Sequence, residues 1–179
     1  TSSANGVVVK ADPVAGLPNT YEALGIALLE GADTLLTASA TDEFGKTGTD
    51  PQTIVYDKEK PGIGIDLPIA GRAVKDLKVP VKGTASDKHG VKSVTVNGAP
   101  ASLDPGSGAS SVTYTVDAPI EGPDGEKTLK AVATDRAGNT EEAERTVRLD
   151  RDPAEVVSIS PSETIVATPK PNIAVKADE

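Results

Sequence analysis

The sequence predicts an all-β chain of tandem antiparallel β-sandwiches, and three observations carry that expectation. First, the chain repeats itself with a period of 93 residues when Asp42 is laid on Asp135. Second, apolar and polar residues alternate along short runs bounded by Gly, Pro and Asn-Gly turns. Third, the apolar residues are mostly Val, Ala, Leu and Ile, with one Phe, three Tyr and no Trp. Side chains of that size contribute roughly 1.5–3 kcal/mol each when fully buried. They can fill a thin sandwich; they do not suit a large enzyme core around a deep pocket.

The repeat is read from two segments. "LTASATDEFGKTGTDPQTIVYDKEKP" ends at Pro61, and "LKAVATDRAGNTEEAERTVRLDRDP" ends at Pro153. They match at Leu36/Leu129, Ala38/Ala131, Ala40/Ala133, Thr41/Thr134, Gly45/Gly138, Thr47/Thr140, Thr53/Thr146 and Asp57/Asp150. In the middle repeat the alternation places strands near Ile63–Leu67 (A), Leu77–Ala85 (B) and Val91–Val96 (C). Asn97-Gly98 closes strand C as a hairpin turn, because both residues accept the positive φ that a type I′ turn demands. Ala101–Leu103 follows, then a Gly/Ser loop, then Ser111–Val116 (E), Thr128–Thr134 (F) and Ala143–Asp150 (G). The expected core is Val79, Val81, Val94, Val96, Val112, Tyr114, Val116, Leu129, Ala131, Ala133, Val147 and Leu149. Seven such strands in about 90 residues define an immunoglobulin-type sandwich. The fold class is therefore tandem immunoglobulin-like antiparallel β-sandwiches. Tyr21–Leu29, whose period is ambiguous, is expected to be strand because it occupies the repeat position of Ser111–Ile120.

The period also divides the chain. Residues 1–58 are a partial repeat running from the end of strand C to strand G, because "NGVVVKADP" (5–13) lines up with "NGAPASLDP" (97–105). Residues 59–152 are a complete repeat. Residues 153–179 hold strands A and B, with "AVKADE" (174–179) echoing "PVKGTASD" (80–87). The chain is thus expected to be an excerpt of a longer array. Its junctions, "DKEKP" and "DRDP", contain Pro and few flexible residues, which predicts a semi-rigid rod.

These residues resemble a known family. "ATDRAGNT" (133–140) followed by "TVRLDRDP" (146–153) is similar to the "ATDxAGNxS … VTVDTTAP" pattern of bacterial Ig-like (Big-type) repeats. "VKGTASDKHGVKSVTVNG" (81–98) is similar to their "VSGTVSDxSGVxSVTVNG" segment. Two departures are "DEFGK" (42–46) and the junction "DKEKP". The resemblance implies modules of bacterial surface adhesins or spacers in secreted polysaccharide-degrading enzymes, and an extracellular or cell-surface location.

Charge and composition exclude several functions. The net charge is −9 with no basic cluster, so nucleic acid lacks the footprint its phosphates require. There is no Cys, hence no disulfide framework, no thiol nucleophile and no Cys-based zinc site. No apolar run approaches the ~20 residues that span a bilayer. One His, His89, lies in the turn "SDKHG" and reads as an exposed turn residue. Without a second His or a Cys, neither a catalytic triad nor an ordinary zinc centre is supported, and no enzyme is expected. Sugar-stacking aromatics are too few for a lectin, and Tyr56 and Tyr114 fall on strands.

One cation site has a geometric rationale. In an immunoglobulin-like sandwich the incoming linker and the B–C and F–G loops share one end. In the middle repeat these carry Asp57 and Glu59, Asp87, and Asp135 with Asn139. Calcium binds six to eight such oxygens in flexible geometry. Equally, Asp135 can cap the F–G turn through its own backbone while Gly138 supplies the positive φ. Expected partners are neighbouring repeats and, for a fibre, a second copy adding its 154–179 strands to 1–58. No residue pattern identifies a host or cell-surface ligand.

Overall fold

A computed structural model describes residues 2–4, 7–160 and 174–177. The first repeat contains β1 (Ser2–Ala4), β2 (Val7–Val9), β3 (Asp12–Pro13), β4 (Tyr21–Glu22), β5 (Asp33–Thr41) and β6 (Thr47–Val55). The middle repeat contains β7 (Gly62–Leu67), β8 (Arg72–Val74), β9 (Lys78–Ser86), β10 (Val91–Val96) and β11 (Ala99–Pro100). It continues through β12 (Ser102–Asp104), β13 (Ser111–Pro119), β14 (Gly125–Asp135) and β15 (Thr140–Leu149). After it, β16 (Val156–Ser160) pairs antiparallel with β17 (Ala174–Ala177).

The middle repeat is a two-sheet sandwich. One sheet has the order β12-β13-β9-β7 and the other β11-β10-β14-β15-β8. The core between them contains every residue the alternation predicts, together with Ile65, Ala85, Val91, Ala118 and Ile120. Val79, Val81, Val94, Val96, Val112, Tyr114, Leu129, Ala131, Ala133, Val147 and Leu149 are buried, and Val116 is half-buried against them. Strand β9 shows the cause directly: along Lys78–Ser86 every second residue is buried and its neighbours are exposed. The hairpin turn is formed by Asn97 (φ 47°) and Gly98 (φ 79°), as expected of two left-handed residues in sequence.

Tyr114 anchors the contact between β13, β9 and β7. It is fully buried, and its hydroxyl donates to Gly64 O at 3.0 Å. Burial first, and the nearby Asp66 carboxylate second, push its phenol up to about 12; the Arg145 guanidinium opposes them. The ring requires Gly83 beneath it: a Cβ there would lie 2.5 Å from both Tyr114 Cζ and Tyr114 Oη.

One expectation is corrected and two short strands are added. Tyr21–Leu29 is not a full strand: Tyr21–Glu22 pairs with β3, and residues 23–29 have no regular structure. The short strand expected near Ala101–Leu103 is β12, and β11, just before it and in the other sheet, was not anticipated. Strand β8 was not anticipated; it runs parallel to β15, so the first strand of the repeat is split between the sheets. Three residues, "RAV", are too few to show a period.

The first repeat shows what the pattern does without an opposing sheet. Its strands form a four-stranded sheet, β2-β1-β5-β6, and a separate two-stranded sheet, β3-β4. Leu129, Ala131 and Ala133 are fully buried, whereas their counterparts Leu36, Ala38 and Ala40 are half-buried or exposed. A cleft of about 890 Å³ is lined by Tyr21, Ala23, Ile26, Ala38 and Ala40 among others.

Candidate functional site at the repeat junction

The side chains with the most organised chemistry meet where the first repeat hands over to the second. Their placement follows from the topology. Strand β6 delivers the linker to the end of the middle sandwich at which the β9–β10 and β14–β15 loops emerge.

Asp57 is the hub. Only 9% of it is exposed. Its Oδ1 accepts the Glu59 N–H at 3.0 Å, and its Oδ2 lies 2.9 Å from Nδ1 of His89, with the imidazole donating to the carboxylate. Its main-chain carbonyl accepts from Asn139 Nδ2 at 3.2 Å. Asp87 shapes the β9–β10 loop: its Oδ1 accepts the N–H groups of His89 (2.7 Å) and Gly90 (2.9 Å). That turn carries the His89 ring toward the linker. Gly90 has φ +106°, and a Cβ on it would meet the Gly108 carbonyl, so the loop tolerates no side chain there.

Asp135 shapes the other loop and is fully buried. Its Oδ1 accepts the N–H groups of Gly138 (2.6 Å) and Asn139 (2.8 Å), and its Oδ2 accepts from Asn139 Nδ2 at 2.7 Å. Burial opposes ionisation of this carboxyl. The Asn139 side chain and the N–H groups of Asn139, Gly138 and Ala137 outweigh it and hold Asp135 below the ordinary carboxylate range. The loops are joined directly as well, by Arg136 N–H to Gly90 O at 3.1 Å. Asp135, Asn139, Asp57, His89 and Asp87 thus form one continuous hydrogen-bonded chain across linker and loops.

The turn-capping role of the acid recurs in the first repeat, where Asp42 Oδ1 accepts the N–H groups of Phe44 (2.9 Å) and Lys46 (2.8 Å). The amide is what differs. Asn139 reaches the linker, whereas Lys46, at the equivalent turn position, is exposed.

The structure brings together part of the five-residue set expected for calcium. Asp57 and Asp87 place a ligand atom each within 4.8 Å of one another, and the third member of that group is His89. Glu59 is exposed and outside the group; Asp135 is turned into its own loop, and Asn139 bridges that loop to the Asp57 carbonyl. Each of Asp57, Asp87 and Asp135 already accepts at least one backbone N–H. His89 corrects the expectation of an exposed turn residue: its side chain is 23% exposed and bonded to a buried acid. A lone His in a polar turn gives no sign of this, because its partner lies 32 residues away.

Fold and junction together define a class: an all-β chain whose immunoglobulin-like β-sandwich is joined to the repeat before it by an ordered polar linker. No protein-family model matches the chain. Bacillopeptidase F of Bacillus subtilis (strain 168) is 30% identical over 159 residues, which are 89% of this chain and 10% of that protein. The chain therefore spans about a tenth of this curated relative. Among solved structures, the fibronectin(III)-like modules of Clostridium thermocellum CbhA match with a TM-score of 0.45 at 14% identity. That match covers 83% of this chain and 75% of theirs. Dimeric latent PorU from Porphyromonas gingivalis matches with a TM-score of 0.39 at 13% identity, over 72% of this chain and 15% of PorU. At these scores the fold rests on the strand pairing described above, not on the likeness.

Proposed function

We propose that this chain is a non-catalytic structural segment of a larger extracellular bacterial protein, in which stacked sandwiches hold other domains at a set distance and orientation. The observation that carries the reading is the Asp135–Asn139–Asp57–His89–Asp87 chain of hydrogen bonds. It spends a buried, hydrogen-bonded set of polar groups on fixing a linker. An enzyme would be expected to aim such groups into a cleft; here the ring and carboxylates are consumed by one another and by backbone N–H groups.

Two settings fit a spacer. One is a surface adhesin of Big-type repeats. The other, favoured by the match to a protein named as a peptidase, is an accessory segment beside a catalytic domain. Small-angle scattering tests the common part of the reading. The purified chain should scatter as an elongated particle of constant shape, and it should turn over no peptide, ester or polysaccharide substrate. Turnover abolished by one Asp or Glu substitution, or a profile of freely tumbling units, would refute it.

A further inference from the structure

The linker that reaches forward through Asp57 also reaches backward. Lys58 Nζ lies 3.2 Å from Glu30 Oε2 in the β4–β5 segment of the first repeat, and 5.3 Å from the centroid of the Tyr56 ring. Beside it the Gly31 N–H donates to Tyr56 O at 2.8 Å, and Glu30 and Tyr56 form a parallel bridge. The forward loop meets this same place, since Lys88 Nζ donates to Gly31 O at 3.4 Å. One period later the arrangement recurs with different residues. Arg151 stands at the position of Lys58, and Asp124 stands at that of Gly31. Arg151 Nε lies 2.5 Å from Asp124 Oδ1, and its N–H donates to Asp124 Oδ2 at 2.6 Å.

We infer that Asp57-Lys58 at the head of the first linker forms a two-way clamp, whose backward half recurs in the second linker at Arg151. The base ties the linker to the repeat behind it, and in the first linker the acid is seen tying it to the repeat ahead. The recurrence argues for selection of the contact and not of one residue: Glu30 and Asp124 are one position apart in the period, and Lys is replaced by Arg, yet both pairs close. In the first linker two adjacent residues of opposite charge thus serve opposite partners, Asp57 the His89 ring ahead and Lys58 the Glu30 carboxylate behind. Exposed ion pairs add little to stability. The clamp therefore acts on orientation between repeats and leaves the melting of each repeat nearly unchanged.

The inference rests on the spacer reading, and one experiment separates the two. The chain has no Cys, so a nitroxide pair can be introduced cleanly at two exposed positions, Asp50→Cys in the first repeat and Glu126→Cys in the second. Double electron–electron resonance then reads the distance distribution between repeats in the full chain. The labelled parent should give one narrow peak. Lys58→Gln and Asp57→Asn should each broaden it at least twofold, and the swap Lys58→Glu with Glu30→Lys should narrow it again. A narrow parent peak that neither substitution changes, or a swap as broad as Lys58→Gln, overturns the clamp and leaves the spacer standing. A broad parent peak overturns both.

Discussion

The two repeats offer an internal control on core energetics, because Leu129 and Leu36 occupy the same position of the period in different surroundings. Leu129 is fully buried on β14, in the middle of the five-stranded sheet and facing the opposing sheet. Truncation to Ala removes three carbons; at about 0.8 kcal/mol per buried methylene the transfer loss alone is ~2.4 kcal/mol. The opposing sheet cannot fully collapse onto the gap, so a cavity contribution raises the expected cost to about 3–4 kcal/mol, within the range of such substitutions. Leu36 is half-buried, on the strand whose Ala38 and Ala40 line the open cleft. Leu36→Ala forfeits roughly half the transfer term and opens no closed cavity, so about 1 kcal/mol is expected. Urea unfolding of each full-length variant, followed by hydrogen exchange resolved to β5 and β14, assigns each loss to its own repeat. Equal costs for the two substitutions, or a Leu129→Ala cost under about 1 kcal/mol, would refute the claim that the opposing sheet creates the difference.

Other perturbations test the remaining contacts. Gly83→Ala drives a methyl into the Tyr114 ring and the Gly64 carbonyl, and should destabilise the middle repeat by about 3 kcal/mol, the upper end of overpacking costs, in the same urea assay. Tyr114 has a folded pKa raised to about 12 from 10.0, so its contribution to stability is complete below pH ~10 and is lost as pH rises through 12. Absorbance titration should show one tyrosine ionising late, together with unfolding, and Tyr114→Phe should remove that step. Asp135 has a lowered folded pKa, so its contribution is present above the ordinary carboxylate range and is lost as pH falls through the lowered value. Asp135→Ala, which strands the Gly138 and Asn139 donors, should cost about 1–3 kcal/mol at pH 7 and flatten the acid limb of the stability curve. Melting curves with millimolar calcium and with chelator should superimpose, since the junction acids face N–H donors; a calcium-dependent rise that Asp87→Ala abolishes would show that the ion displaces them.

Much of this molecule is written in local pattern. Alternation along Lys78–Ser86, Thr128–Thr134 and Ala143–Asp150 specified both the strands and the faces they bury, because the side-chain period of a strand is two and needs no knowledge of its partner. The Asn97-Gly98 turn and the capping role of Asp135 were equally legible, each depending on residues within four positions. The tertiary structure decided everything that depends on which distant segments meet. Leu36 and Leu129 carry the same local pattern, and their burial differs because a second sheet packs on one and not on the other. Strand β8 is three residues whose only support is a parallel neighbour some 75 residues away in the chain. His89 became a junction residue because strand β6 ends beside its loop and delivers Asp57 there, a contact across 32 residues that no periodicity encodes. Local conformation follows from the chain's own sterics and patterning, whereas the partners of a polar side chain are set by how the sheets close around it.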